Sequence, residues 1–215
     1  MILLKDIAKI EIGRTFRQKI EGEPNGDCMV IQVKDISVEN LSIQNSGIFI
    51  ASQSIASHHL LQTNDILFIA KGNHNNAVQY QSNKKATVVS LFFIIRVTSS
   101  HVLPNYVTWF INSPQAQAYF REYRAGASVG NIKKADLENL PIPIPSLAIQ
   151  QKITDINQLF QEEQQLTKNY FAQKEKYLNG IFNNLIKSVM SVFFSYIRVS
   201  RVKFSKSNYI FFSHK

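Results

Sequence analysis

Cysteine is almost absent. The single thiol, Cys28, can form neither an internal disulfide nor a cysteine-cluster metal site, which favours a reducing compartment. Long apolar runs are also missing. Met1-Ile2-Leu3-Leu4 is interrupted by Lys5 and Asp6, too soon for a signal peptide. No window reaches the ~18 uninterrupted apolar residues of a membrane span, so a cytoplasmic protein without a membrane partner is expected. Charged residues are few, at 18%, against 45% hydrophobic, a balance that excludes disorder driven by charge. The 215 residues suffice for one domain plus a substantial appendage, or for two small domains.

Most signatures of catalysis are absent as well. Metal-dependent nucleases commonly place an acidic residue two positions before a lysine, and no Asp-x-Lys or Glu-x-Lys occurs. Gly-Lys is missing, which excludes a P-loop, and so is Gly-x-Gly-x-x-Gly. Methylation of amino groups on bases uses Asn or Asp before Pro-Pro-aromatic. The nearest string, Asn112-Ser113-Pro114-Gln115, lacks the second proline and the aromatic, and reads as a helix start. His58 and His59 are adjacent and point apart on most backbones, while His74, His101 and His214 are isolated, so no metal site and no cofactor is expected. One catalytic spelling is present: Gly126-Ala127-Ser128-Val129-Gly130 fits Gly-x-Ser-x-Gly. A nucleophile elbow needs a strand entering and a helix leaving, whereas here a basic helix ends near Gly126 and Asn131-Ile132-Lys133-Lys134 follows. The segment reads as a connection between helices, and a hydrolase using Ser128 stands as a rival.

What the chain does have is positive charge, unevenly placed. Lys and Arg number 24 against 15 Asp and Glu, a net of +9. Six of the basic residues and no acidic one fall between Lys187 and Lys215, which leaves the preceding body at +3. A polyanion partner is therefore allowed, provided that the positives gather on one face.

Residues 1 to about 100 read as mostly β. Apolar runs at Met29–Lys34, Ile66–Ala70 and Ala86–Val97 are separated by a turn at Glu21–Asp27 and a polar loop at Lys71–Asn76. From Pro104 the period becomes helical, with Tyr106, Trp109 and Phe110 on one face; Ser113-Pro114 supplies an N-cap and first-turn proline for a second helix. In Pro141-Ile142-Pro143-Ile144-Pro145 every second residue lacks an N–H, so the stretch is extended, cannot be a central strand, and marks a boundary. Ser146 can then cap a helix free of proline as far as Lys187, a rod of about 60 Å. Ile149, Ile153, Ile156 and Phe160 form a stripe on it, continued imperfectly by Leu166, Tyr170, Tyr177, Ile181 and Leu185. Such a stripe needs a second helix, in cis or in trans. Residues 188–215 follow as a basic, apolar tail without clean period.

Several segments together resemble the specificity (S) subunits of type I restriction-modification systems, and one half of such a subunit. Leu4-Lys5-Asp6-Ile7-Ala8 through Gly13-Arg14 is similar to that family's opening, and Gln32-Val33-Lys34-Asp35-Ile36 to its first core strand. Leu61-Gln62-Thr63-Asn64-Asp65-Ile66-Leu67-Phe68 is similar to another of its strands. Ser128–Ile132, Asp136-Leu137, Leu140–Pro145 and Ile149-Gln150-Gln151-Lys152-Ile153 resemble its closing signature. The likeness covers about residues 1 to 187. It implies an α+β fold: a β-rich target recognition domain with short helices over 1–146, then one long dimerising α-helix over 147–187. Residues 188–215 stand where a second recognition domain would begin in a two-domain subunit, so a half-subunit that pairs with itself, or a truncated product, is expected. The family implies a non-catalytic role, with double-stranded DNA, methyltransferase (M) subunits, a restriction/translocase (R) subunit and a second S half as partners.

The residues admit such a role. Amides and guanidinium groups discriminate base edges, and the loop Lys71, Gly72, Asn73, His74, Asn75, Asn76, with Gln79 and Gln81 beyond it, is dense in amides. Turn geometry accounts for the same Asn and Gly residues equally well. Arg14, Arg17, Lys19, Lys84, Lys85, Lys133 and Lys134 are candidates for phosphate contact, which positions without specifying sequence. A helical adaptor that never touches DNA is the remaining rival.

Overall fold

The protein's computed structural model describes residues 1–44, 47–72, 74–124 and 131–208. They fall into two units, Met1–Gln161 and a second from Glu162 onward. In chain order the elements are β1 (Ile2–Leu3), α1 (Leu4–Ile7), β2 (Ala8–Ile12), β3 (Cys28–Ile31), β4 (Ile36–Ser37), β5 (Ser42–Ile43) and β6 (Phe49–Ile50). There follow β7 (Ile66–Ile69), β8 (Ala77–Gln79), β9 (Ala86–Val88), β10 (Phe92–Val97), α2 (Pro104–Ile111), α3 (Pro114–Arg124), α4 (Lys134–Glu138), β11 (Pro141–Ile142) and α5 (Leu147–Asn208). The fold is α+β, β-rich at first and closed by a long helix.

The centre is a sheet in the order β2-β10-β7-β8, antiparallel throughout. β7 is buried at every position, because successive side chains leave opposite faces and both faces are covered. Ile66 and Phe68 enter a core with Ile10, Ile95 and the helical residues Tyr106, Phe110 and Phe120. Leu67 and Ile69 enter a second core with Ile31, Val88, Phe92 and Ile94. A second sheet, β6-β3-β9, carries β3 parallel to β9 and shelters a smaller cluster of Cys28, Val30, Ile50 and Ile55.

The apolar run Ala86–Val97 is two strands rather than one. β9 belongs to the second sheet and β10 to the first, and the chain changes sheet through a turn at Ser90-Leu91 closed by the Phe92 N–H on the Val89 carbonyl, 3.0 Å. Gly13 lies at the same crossing. A Cβ there would stand 2.2 Å from the Val89 carbonyl oxygen, so only glycine permits the approach. Gln32–Ile36, read from its likeness as a core strand, is mostly a tight turn: Val33–Asp35 is 3-10, and the Gln32 N–H donates to Asp35 Oδ2 at 2.8 Å.

The helical half follows the sequence closely. Ser113 Oγ accepts the Ala116 N–H at 3.3 Å, capping α3 as its position before Pro114 requires. The proline ladder supplies β11, which pairs only with β1, as residues lacking alternate N–H groups must. α5 continues past Lys187 to Asn208. Its start is held by Gln150, a fully buried amide whose Oε1 accepts the Leu103 N–H at 2.9 Å and whose Nε2 donates to the His101 and Pro145 carbonyls at 2.9 and 2.8 Å. Ile153 packs on the first core one turn later. Replacing Gln150 with alanine leaves the Leu103 N–H and the His101 and Pro145 carbonyls without this partner, and should lower unfolding stability by about 1–3 kcal/mol in a urea titration. A loss under about 0.5 kcal/mol would show that water takes over these bonds.

Candidate nucleic-acid interface

The polar loop after β7 is braced from behind. Asn75 is fully buried, and its Nδ2 donates to the Ile69 carbonyl at 2.9 Å, while its own carbonyl accepts Gln117 Nε2 at 2.9 Å. Asn76 Nδ2 donates to Asn112 Oδ1 at 3.3 Å. Asn112 also imitates a neighbouring strand: its Oδ1 accepts the Ala77 N–H at 2.9 Å and its Nδ2 donates to the Ala77 carbonyl at 2.8 Å. Asn75 and Asn76 thus brace the scaffold through their Nδ2 groups, while Asn75 Oδ1 is buried without a hydrogen-bond partner. Lys71 and His74 point outward, and Asn73 lies outside the described residues. Gly72 has φ +141°, a backbone conformation that lets the chain turn out between them.

Lys71 forms a β-bridge with Asn131, and the Ile132 N–H donates to the Ala70 carbonyl at 2.9 Å. The loop and the segment leading to Lys133 and Lys134 are thus brought together. Lys133 is exposed at the start of α4, and Lys134 pairs with Glu138 at 3.6 Å. On the first loop the Arg14 guanidinium lies 4.8 Å from the centroid of the Phe16 ring and donates to Ser54 Oγ at 3.4 Å, while Arg17 and Lys19 are exposed. Lys84 is exposed. Lys85 is already engaged, with Nζ 2.7 Å from Asp27 Oδ2 and 3.1 Å from Ser52 Oγ. The Lys85 bond, with those from Ser52, holds the Asp27 carboxyl well below the usual carboxylate range.

Four carboxylates that carry the sequence likeness prove to be backbone caps. Each accepts the N–H of the residue three positions earlier: Asp6 from Leu3 at 3.2 Å, Asp35 from Gln32 at 2.8 Å, Asp65 from Gln62 at 2.7 Å and Asp136 from Lys133 at 3.0 Å. Asp65 is in addition gripped by Arg96, Nη2 to Oδ2 at 2.6 Å and Nε to Oδ1 at 2.8 Å, a planar two-point pair beneath the surface. Burial pushes the Cys28 thiol up to about 11, so it is protonated at neutral pH. Burial pushes the His59 imidazole down, favouring its neutral form. Among the described residues no three His, Cys, Asp or Glu gather as a metal set. Ser128 lies outside the described residues; the element that leads toward it, α3, is a helix, not the strand that an elbow requires. No described helix is long and apolar enough to cross a membrane.

The long helix carries the apolar residues read from its pattern, with one change of role. Ile149, Ile156, Phe160, Leu166, Tyr170 and Tyr177 are exposed, Ile156 at 67% and Leu166 at 70%. Ile153 is instead turned onto the recognition unit's own core.

No curated protein matches the sequence. Solved structures do match in fold. A chain from a study of complex assembly and conformational transition of the type I R-M system aligns with TM-score 0.64 at 16% identity, over 84% of this chain and 42% of that one. The HsdS subunit from Thermoanaerobacter tengcongensis aligns with TM-score 0.55 at 16% identity, covering 75% and 37%. The S subunit of a type I system from M. genitalium gives TM-score 0.51 at 16% identity, covering 75% and 38%. The chain thus spans about two fifths of the length of these structures. The sequence profile described as type I restriction modification DNA specificity domain matches residues 1–175, most of the chain, and this protein therefore belongs to that family.

Proposed function

We propose that the protein reads a DNA half-site for a type I restriction-modification complex and performs no chemistry itself. The family match over residues 1–175 carries the reading. The site supports it: Lys71, His74 and Lys133 are outward groups on segments joined by the Lys71–Asn131 bridge, whereas the motif carboxylates are spent on backbone caps. Arg17 and Lys19 offer further phosphate contacts from the first loop. Double-stranded DNA is the ligand, methyltransferase subunits and a restriction/translocase subunit are the partners, and the exposed apolar face of α5 pairs with a second S half, a copy of this chain included.

Co-expressed with type I methyltransferase subunits, the protein should produce one recurrent methylated motif on genome sequencing; methylation without a shared motif, or none, would contradict the reading. Lys71→Ala combined with Lys133→Ala should weaken binding to cognate and random duplex alike and reduce the salt slope by about one ion per lysine. A changed motif with an unchanged slope would assign these lysines to bases instead. For the helix, Ile156→Lys with Phe160→Lys places two charges in the pairing seam and leaves Ile153 in its core; assembly measured by sedimentation should weaken by several kcal/mol while the melting temperature of the recognition unit holds. Unchanged assembly would put the seam elsewhere.

A further inference from the structure

A groove of about 420 Å³ opens beside β5 and the segment after β8, with Leu41 and Ile43 on its apolar side and Gln44, Gln79, Gln81 and Lys84 on its polar side. Its amides are organised as a relay. Gln81 Nε2 donates to Gln79 Oε1 at 3.3 Å, and Gln79 Nε2 donates to Asn64 Oδ1 at 3.1 Å. Asn64 anchors the far end: it sits at φ +75°, and its N–H donates to the Tyr80 carbonyl at 2.8 Å. In this relay the Asn64 Oδ1 and Gln79 Oε1 oxygens each face an amide nitrogen. Gln81, exposed at the open end, keeps its Oε1 and one N–H for an outside ligand.

That pair of groups matches adenine in the major groove, where N6–H donates and N7 accepts. The apolar side matches the 5-methyl of the thymine opposite. No acidic side chain lines the groove, so it lacks the acceptor-only group that cytosine N4 calls for; Lys84 also lines it, but guanine presents only acceptors at O6 and N7 and would leave the Gln81 oxygen unpaired. Leu41, at the turn between β4 and β5, has φ +45°, a conformation unfavourable for leucine, and lines the groove while packing with Ile43 against the second core.

We propose that this groove reads one A·T base pair, with Gln81 making the two-point contact to adenine, Gln79 positioning Gln81, and Leu41 and Ile43 meeting the thymine methyl. The proposal rests on the DNA-reading role and makes it specific. It moves base readout from the Lys71–Asn76 loop, where Asn75 is buried and Asn76 Nδ2 is bonded to Asn112, to β8 and the residues after it.

The test uses the complex assembled with methyltransferase subunits. The wild-type motif should contain a fixed A·T pair; Gln81→Ala should relax it, reducing discrimination there about tenfold to a hundredfold, and Gln81→Glu should shift it toward C·G. Because Gln81→Ala exchanges one neutral side chain for another, the salt slope of that variant should stay as in the wild type. Should a variant lose methylation altogether, duplexes decide: 7-deazaadenine for adenine at that pair should weaken wild-type binding and have little effect on Gln81→Ala, whereas uracil for thymine should weaken both, since Leu41 and Ile43 remain. Continued methylation of an unchanged motif by both variants would overturn the proposal, as would a wild-type motif specifying only G·C pairs or indifference of wild-type binding to both base analogues. No recurrent motif from the wild-type complex would instead refute the DNA-reading role.

Discussion

The buried amide of Gln150 joins the start of α5 and the end of the proline ladder to the segment His101–Leu103, 47 to 49 positions earlier. Its oxygen takes the N–H of Leu103 just before α2, and its nitrogen serves the carbonyls of His101 and Pro145. An amide saturated in this way inside an apolar setting has one acceptable orientation, because any other leaves buried polar groups unpaired. The first turns of α5 are therefore set against α2 and the proline ladder by hydrogen-bond geometry, with Tyr106 adding a bond from its hydroxyl to the Pro143 carbonyl at 2.7 Å. This cluster sets the direction in which the first turns of α5 run within the unit Met1–Gln161.

The same economy governs the acidic residues. Asp6, Asp35, Asp65 and Asp136 each close a tight turn by accepting an N–H three residues back, and Asp65 also neutralises Arg96. These carboxylates are engaged with backbone donors and a guanidinium, and among the described residues no three His, Cys, Asp or Glu gather to hold a metal ion. On the loop after β7 and the segment before α4 the exposed groups are Lys71, His74 and Lys133, side chains of the kind that bind phosphate and base edges.

The sequence revealed the helices and the proline boundary well, since these follow from local rules: Ser113 before Pro114 caps α3, and alternating prolines confine β11 to the edge ribbon beside β1. It was a weaker guide where tertiary contacts decide. Ala86–Val97 reads as one strand because both halves are buried, yet each belongs to a different sheet. Asn75 and Asn112 look like surface or capping residues; their commitment to Ile69 and Ala77 depends on partners 6 and 35 positions away. Ile153 shares a stripe with Ile156, but the tilt imposed at Gln150 turns it inward. The relay from Gln81 to Asn64 was visible only as glutamines near a polar loop, because its order depends on the strand that brings Asn64 alongside. One local signal could have found the caps: the recurrence of Asp before Ile or Leu at Asp6, Asp35, Asp65 and Asp136.

The central claim is that DNA and the assembly partner meet different parts of this chain, exposed loops for one and the α5 face for the other. Hydrogen–deuterium exchange on the assembled complex, with and without a duplex carrying its methylated motif, tests this directly. Cognate DNA should slow exchange in Lys71–Asn76, Asn131–Lys134 and Gln79–Lys84 and leave the interval from Ile156 to Tyr177 as protected as it is without DNA. Protection by DNA confined to α5, with none in those loops, would contradict the account.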